Sequence, residues 1–205
     1  MMNEIEKLKR ELAATIRAYN LKGWSPATST NYSFRTKVDD ELIYVSRSGV
    51  DKSLFSETDF IEIDRFGQGK SENKIAVPSA ETLIHCVLYD LFPETSVILH
   101  SHSVYPVLIS QKFEKHVDFE GYEIQKGFSG QTTHDAKISI PIFDNTQDMD
   151  EFSTVLIENK NRIVNHSFIM RNHGTYAWGR TLFEAKRHLE TLEYLCQCEW
   201  MIRND

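Results

Sequence analysis

The sequence predicts a layered fold in which helices flank one sheet of roughly seven short strands, an α/β or α+β arrangement. Three observations carry that expectation. Ile5, Leu8, Leu12, Ile16 and Tyr19 recur 3, 4, 4 and 3 residues apart, one face of an amphipathic helix that ends before Gly23. Ile138, Ile140 and Ile142 occupy every second position, as in a half-buried strand. Thr181 with Glu184 forms a capping box for a long C-terminal helix carrying Leu182, Ala185, Leu189, Leu192 and Cys196.

The other elements follow in chain order. Residues 23–35, GWSPATSTNYSFR, are rich in Ser, Thr, Asn and Pro, whose side chains bond nearby backbone groups, so a loop with exposed hydroxyls is expected. Leu42–Ser46 and Phe60–Ile63 read as short strands separated by a turn at Gly49. Residues 66–77 are polar and glycine-bearing, a surface excursion. Pro78-Ser79 opens a helix capped by Ser79, with Leu83, Val87, Leu88 and Leu91 as its apolar face and Pro93 as its stop. Ser96–Leu99 begins a buried strand that runs into His100-Ser101-His102. Val104–Ser110 reads as a helix with Pro106 in its first turn, and residues 147–160 as another helix through Met149, Phe152, Val155 and Leu156. Ser167–Met170 is a strand.

With 205 residues at 23.8 kDa, the chain fits a single domain over residues 1–205. It is 40% hydrophobic, too apolar for a disordered chain. Its 23 basic against 30 acidic residues give a net charge of -7, which removes compositional support for nucleic acid or an anionic membrane as partner. Any phosphate the protein binds must therefore be met by a local pocket. Cys86, Cys196 and Cys198 are odd in number and read as free thiols, and no secretory signal or membrane span is visible, so a cytoplasmic location is expected.

His100 and His102 lie two residues apart at a strand end, where side chains i and i+2 face the same way and both imidazoles can meet one ion. His173 ends a second apolar strand, ahead of an expected glycine turn and helix. Three neutral nitrogens with a fourth position open are the ligand set of a catalytic divalent-metal site. His85, His116, His134, His166 and His188 read as ordinary helix and loop residues. Proton transfer beside a metal calls for a carboxylate. Glu123 has apolar neighbours downstream of the histidine pair, and Glu81 occupies a first helical turn, where the helix dipole also favours it. Ser29, Asn31, Ser48, Gly49 and Ser79 stand in turns that fit either a phosphate cradle or ordinary turn chemistry.

Taken in order, GWSPATSTNYSFR, SRSGVDK, VPSAETLIH, VILHSHS and IMRNHGTYAWG resemble the class II aldolase/adducin family across most of the chain. The resemblance implies a three-layer α/β/α domain with a central, mainly antiparallel sheet, assembled as a homotetramer. It further implies one zinc or other divalent cation per subunit, held by His100, His102 and His173. The opening Gly-Trp-x-Pro-Ala-Thr-Ser and the Met-Arg-Asn-His-Gly resemble the family's dehydratases more than its aldolases. The implied activity is metal-dependent dehydration of a small-molecule sugar phosphate, 5-methylthioribulose 1-phosphate, in methionine salvage. A sugar-phosphate aldolase or pentulose-phosphate 4-epimerase is the alternative, and a noncatalytic adducin-like module the least favoured. Among such dehydratases the acid/base glutamate sits in a stretch that Tyr122-Glu123-Ile124-Gln125-Lys126-Gly127 resembles, which makes Glu123 the first choice. The family's aldolases carry theirs in Pro-Ser-Ser-Glu, which Pro78-Ser79-Ala80-Glu81 resembles, so Glu81 is the second. Ser29-Thr30-Asn31 departs from the family's Ser-Gly-Asn, placing a side chain where glycine would let a phosphate approach the backbone.

Overall fold

The computed structural model describes residues 3–36, 39–69 and 78–203, so most of the expected excursion at 66–77 lies outside the described residues. Among the described residues, eight strands form one sheet that lies between two layers built from five α-helices. The helices are α1 (Glu4–Leu21), α2 (Thr82–Leu91), α3 (Val104–Lys112), α4 (Met149–Glu158) and α5 (Leu182–Ile202). The strands are β1 (Tyr32–Thr36), β2 (Asp39–Ser46), β3 (Phe60–Ile63), β4 (Val97–Ser101), β5 (His116–Phe119), β6 (Ile138–Phe143), β7 (Ser167–Met170) and β8 (Gly174–Gly179). Their order across the sheet is β3-β2-β1-β4-β8-β7-β6-β5, and only β6 and β7 run parallel.

Each face of the sheet is buried because each strand alternates apolar side chains between two helical layers. Ile98, Phe168, Tyr176 and Trp178 pack under α2 and α4, with Ile84, Leu88, Phe152 and Leu156 opposite. On the other face Val97, Leu99 and Ala177 meet Leu12, Ile16 and Leu189 of α1 and α5. A third cluster seats α3 and the end of α5 on β5, β6 and β7 through Ile109, Ile140, Ile169, Leu192 and Leu195. The expected amphipathic helices are all present. α1 is capped by Asn3 and α5 by Thr181, whose hydroxyl accepts the Glu184 N–H at 3.1 Å.

Four expectations are corrected. The segment 23–35 is not all loop: β1 begins at Tyr32, and Ser25, Asn31 and Ser33 are buried because the chain enters the sheet centre here. Ser79 is not the cap of α2; it forms the turn before it, its carbonyl accepting the Thr82 N–H at 3.0 Å, and helical geometry starts at Thr82. No helix follows His173. Thr175, Tyr176 and Trp178 favour extended backbone and form β8, and the helix waits for the Thr181 cap. His116 opens the edge strand β5, too short for its periodicity to register.

Candidate active site

β4 and β8 pair antiparallel with His100 opposite Tyr176 and Ser101 opposite Thr175. His100 shares the α2 face of β4 with Ile98, and His102 follows just past the strand's end. His173 sits in the tight turn between β7 and β8, where Asn172 takes a left-handed φ of 56°. Gly174 permits the approach of that turn: a Cβ there would lie 1.9 Å from the Ser101 carbonyl oxygen. The three histidines thereby converge, their ligand nitrogens within 4.8 Å of one another and their ring centroids 4.5–5.0 Å apart.

The protonation pattern fits a divalent cation. His100 Nδ1 lies 2.8 Å from the Thr175 carbonyl, which can only accept, so the ring carries its proton there and presents a lone pair at Nε2. Burial pushes His100 down to about 3, and burial with the neighbouring His100 and His173 pushes His102 down to about 2. Both are therefore neutral at physiological pH. Their Nε2 atoms lie 2.7 Å apart, two donor atoms aimed at one point.

Glu81 stands at that point too. Its Oε1 is 3.1 Å from His173 Nε2 and its Oε2 3.4 Å from His100 Nε2, and it accepts hydrogen bonds from Tyr176 and, at 2.8 Å, from Asn31 Nδ2. Burial pushes this carboxyl up, but His100, His173 and Tyr176 together outweigh burial and hold it well below the usual carboxylate range. Behind it runs a buried chain of donors. Tyr89 bonds Ser33 at 2.8 Å, Ser33 bonds His85 Nδ1 at 2.7 Å, and His85 Nε2 bonds Asn31 Oδ1. His85, expected to be an ordinary helix residue, is fully buried there. Its spacing four residues after Glu81 places it one helical turn on, a signal the sequence does contain.

A cavity of about 210 Å³ opens beside Glu81 and His102. Ser29, Asn31, Ser48, Gly49 and Ser79, scattered through the sequence, all line it. Thr30 lines it with a left-handed φ of 71°, the conformation a glycine would adopt freely, and its hydroxyl bonds the Tyr32 phenol at 3.1 Å. Two cations flank the cavity that sequence reading did not single out. Arg47 lines it, its guanidinium held by Asp59 at 2.8 Å. Lys52 is buried behind it, its ammonium donating to the carbonyls of Thr28 at 3.3 Å and Val50 at 3.1 Å.

Glu123 is elsewhere. It lies on an exposed 3-10 turn, 73% exposed, bonded to Lys126 at 2.7 Å and to His134 at 3.3 Å. Within one chain the histidines meet Glu81. The other histidines stay clear of the cluster: His116 and His134 are exposed, whereas His188 is buried and stacked on His166.

Comparison with known proteins agrees with this architecture. Residues 10–200 match the family described as Class II Aldolase and Adducin N-terminal domain. A relative from Picosynechococcus sp. named methylthioribulose-1-phosphate dehydratase is 47% identical over 97% of this chain and 94% of its own length. Another of that name, from Stenotrophomonas maltophilia, is 40% identical over 96% of this chain and 92% of its own. Among solved structures, YgbL from Escherichia coli, a putative aldolase/epimerase/decarboxylase, superposes with a TM-score of 0.81 at 20% identity, covering 98% of this chain and 91% of that one. An L-fuculose 1-phosphate aldolase gives 0.79 at 18% identity, covering 100% and 89%. These likenesses carry the fold, and with the match over residues 10–200 they show that the chain belongs to the class II aldolase and adducin N-terminal domain family.

Proposed function

We propose that this chain dehydrates 5-methylthioribulose 1-phosphate to 5-methylthio-2,3-dioxopentyl phosphate, a step of methionine salvage. The observation that carries the reading is the His100–His102–His173 cluster beside a hydroxyl-lined cavity, in a chain 47% identical to a relative named for that activity. His100, His102 and His173 would hold one cation per chain, zinc or another divalent ion. When bound, it supplies Lewis-acid stabilisation of negative charge on the substrate's carbonyl oxygen.

The phosphate would lie in the cavity of Ser29, Asn31, Ser48, Gly49 and Ser79, where hydroxyls and amides bind an anion without much net charge, and Arg47 and Lys52 add positive potential. The reaction needs a proton removed from C3 and one delivered to the departing C4 hydroxyl, after which the enol tautomerises to the diketone. Glu81, which lines the cavity with its carboxylate 3.1 Å from His173 Nε2, is the carboxylate placed to accept the C3 proton. The stretch around Glu123 resembles the one that carries the dehydratases' acid/base residue, and its exposed turn leaves Glu123 free to face another copy of the chain. We therefore assign it proton delivery to the leaving group across a subunit contact, which accords with the homotetramer that the resemblance implies. The free thiols of Cys86, Cys196 and Cys198 fit a reducing compartment, and the enzyme is assigned to the cytoplasm on that ground.

The test is product analysis by NMR with zinc-loaded protein and 5-methylthioribulose 1-phosphate. Diketone formed with metal and abolished by chelation supports the reading. Cleavage or epimerisation instead would make the chain an aldolase or epimerase on the same scaffold, and a purified chain that takes up no metal would point to an adducin-like module.

A further inference from the structure

Glu193, on α5, is a carboxylate only 4% exposed, on the opposite side of the sheet from Glu81. Burying a carboxylate is expensive unless its oxygens are satisfied, and these are satisfied by hydroxyls rather than by a cation. Oε1 accepts from Ser101 and, at 3.0 Å, from Thr175, while Oε2 accepts from Ser103. The Ser101 and Thr175 hydroxyls are themselves 2.7 Å apart.

These hydroxyl residues are interleaved with the three histidines. Ser101 lies between His100 and His102, Ser103 follows His102, and Thr175 stands two residues after His173. Because side chains alternate along a strand, the imidazoles point to the α2 face and the hydroxyls of Ser101 and Thr175 to the α5 face. We propose that Glu193 is a positioning residue that ties the C-terminal end of β4 to the N-terminal end of β8 and so sets the spacing of the histidine nitrogens for metal binding. This rests on reading the three histidines as ligands. The tie is tight where it matters, since Gly174 already brings the two backbones too close for any side chain. Cutting the tie lets the strand ends separate and the nitrogens spread, and residues that orient metal ligands typically change affinity about 10–100-fold.

The experiment is competitive zinc titration of the apo full-length chain against a chromogenic chelator, for wild type, Glu193→Ala, Glu193→Gln, Ser103→Ala and His100→Ala, with circular dichroism and thermal midpoints. Glu193→Ala should bind zinc about 10–100-fold more weakly while keeping its secondary structure, and Glu193→Gln should recover part of the loss because it retains an acceptor oxygen. Should Glu193→Ala fail to fold, Ser103→Ala and Glu193→Gln carry the test, each expected to weaken binding measurably. A folded variant with lower thermal midpoint but wild-type zinc affinity would show that Glu193 is only a stability residue and overturn the proposal. Wild type binding zinc no better than His100→Ala would overturn the ligand reading itself, and the proposal with it.

Discussion

His85 and Asn31 are joined through the one pairing that fixes both side chains. An amide oxygen only accepts, so the His85 proton resides on Nε2, Nδ1 accepts from Ser33, and the Asn31 NH₂ is left facing Glu81 and Ser79. Without that donor the amide is free to turn its oxygen toward the Glu81 carboxylate. We expect His85→Leu to lower kcat about tenfold, and His85→Gln, which keeps an N–H donor, to retain most of it. Equal kcat in the two variants would deny His85 this orienting role.

Glu81 and Glu123 separate by steady-state kinetics. Each change to Gln should cost at least about a hundredfold in kcat if both carry protons, the usual contribution of acid–base catalysis being 10²–10⁴. Mixed oligomers of Glu123→Gln with His100→Ala chains should regain activity, because one chain would then supply intact histidines and its neighbour an intact Glu123. Absence of any regain, with mixed assembly verified, would place each chain's catalytic groups within itself.

Thr30 stores backbone strain beside the cavity. A β-branched residue at a φ of 71° sits in a region that costs about 1–2 kcal/mol for an L-residue, partly offset by its hydroxyl bond to Tyr32. Thr30→Gly is expected to raise the thermal midpoint by a few degrees, and Thr30→Val, which keeps the strain and loses the bond, to lower it. Differential scanning calorimetry decides between these signs.

Stability should fall on mild acidification. Burial pushes His85 and His188 down to about 4, whereas in the unfolded chain they titrate near 6.5. Between those values the unfolded state takes up protons that the folded state refuses, so stability rises with pH across the window and is lost as pH drops through it. Each histidine should cost about 2 kcal/mol at about pH 5 relative to about pH 7. Urea midpoints at the two pH values measure the loss, and His188→Gln should shrink it. Coincident midpoints would mean that neither residue is held neutral.

Sequence periodicity reached the elements whose apolar spacing is long enough to repeat, notably α1, α5 and β6. It missed β5 because a four-residue edge strand offers too few repeats, and it missed β1 because turn-forming Ser and Asn mask a buried strand start. The three histidines were legible from their strand-end positions. His85 and Glu193 were not singled out, because each acts through a neighbour distant in sequence, Asn31 and Ser101 respectively, and only folding creates those pairings. Lys52 was passed over for the same reason, its acceptors being backbone carbonyls that carry no residue identity.

The β4–β8 register has a consequence for how the centre comes into being. Side chains on a strand repeat every two residues, so a slip of one position would turn His100 away from the α2 face and toward α5, leaving Glu81 without its partners. No partly paired arrangement of these two short strands offers half a centre. Metal capture should therefore be as cooperative as folding itself, with the cation acting as a ligand of the native state alone and raising its melting temperature with concentration.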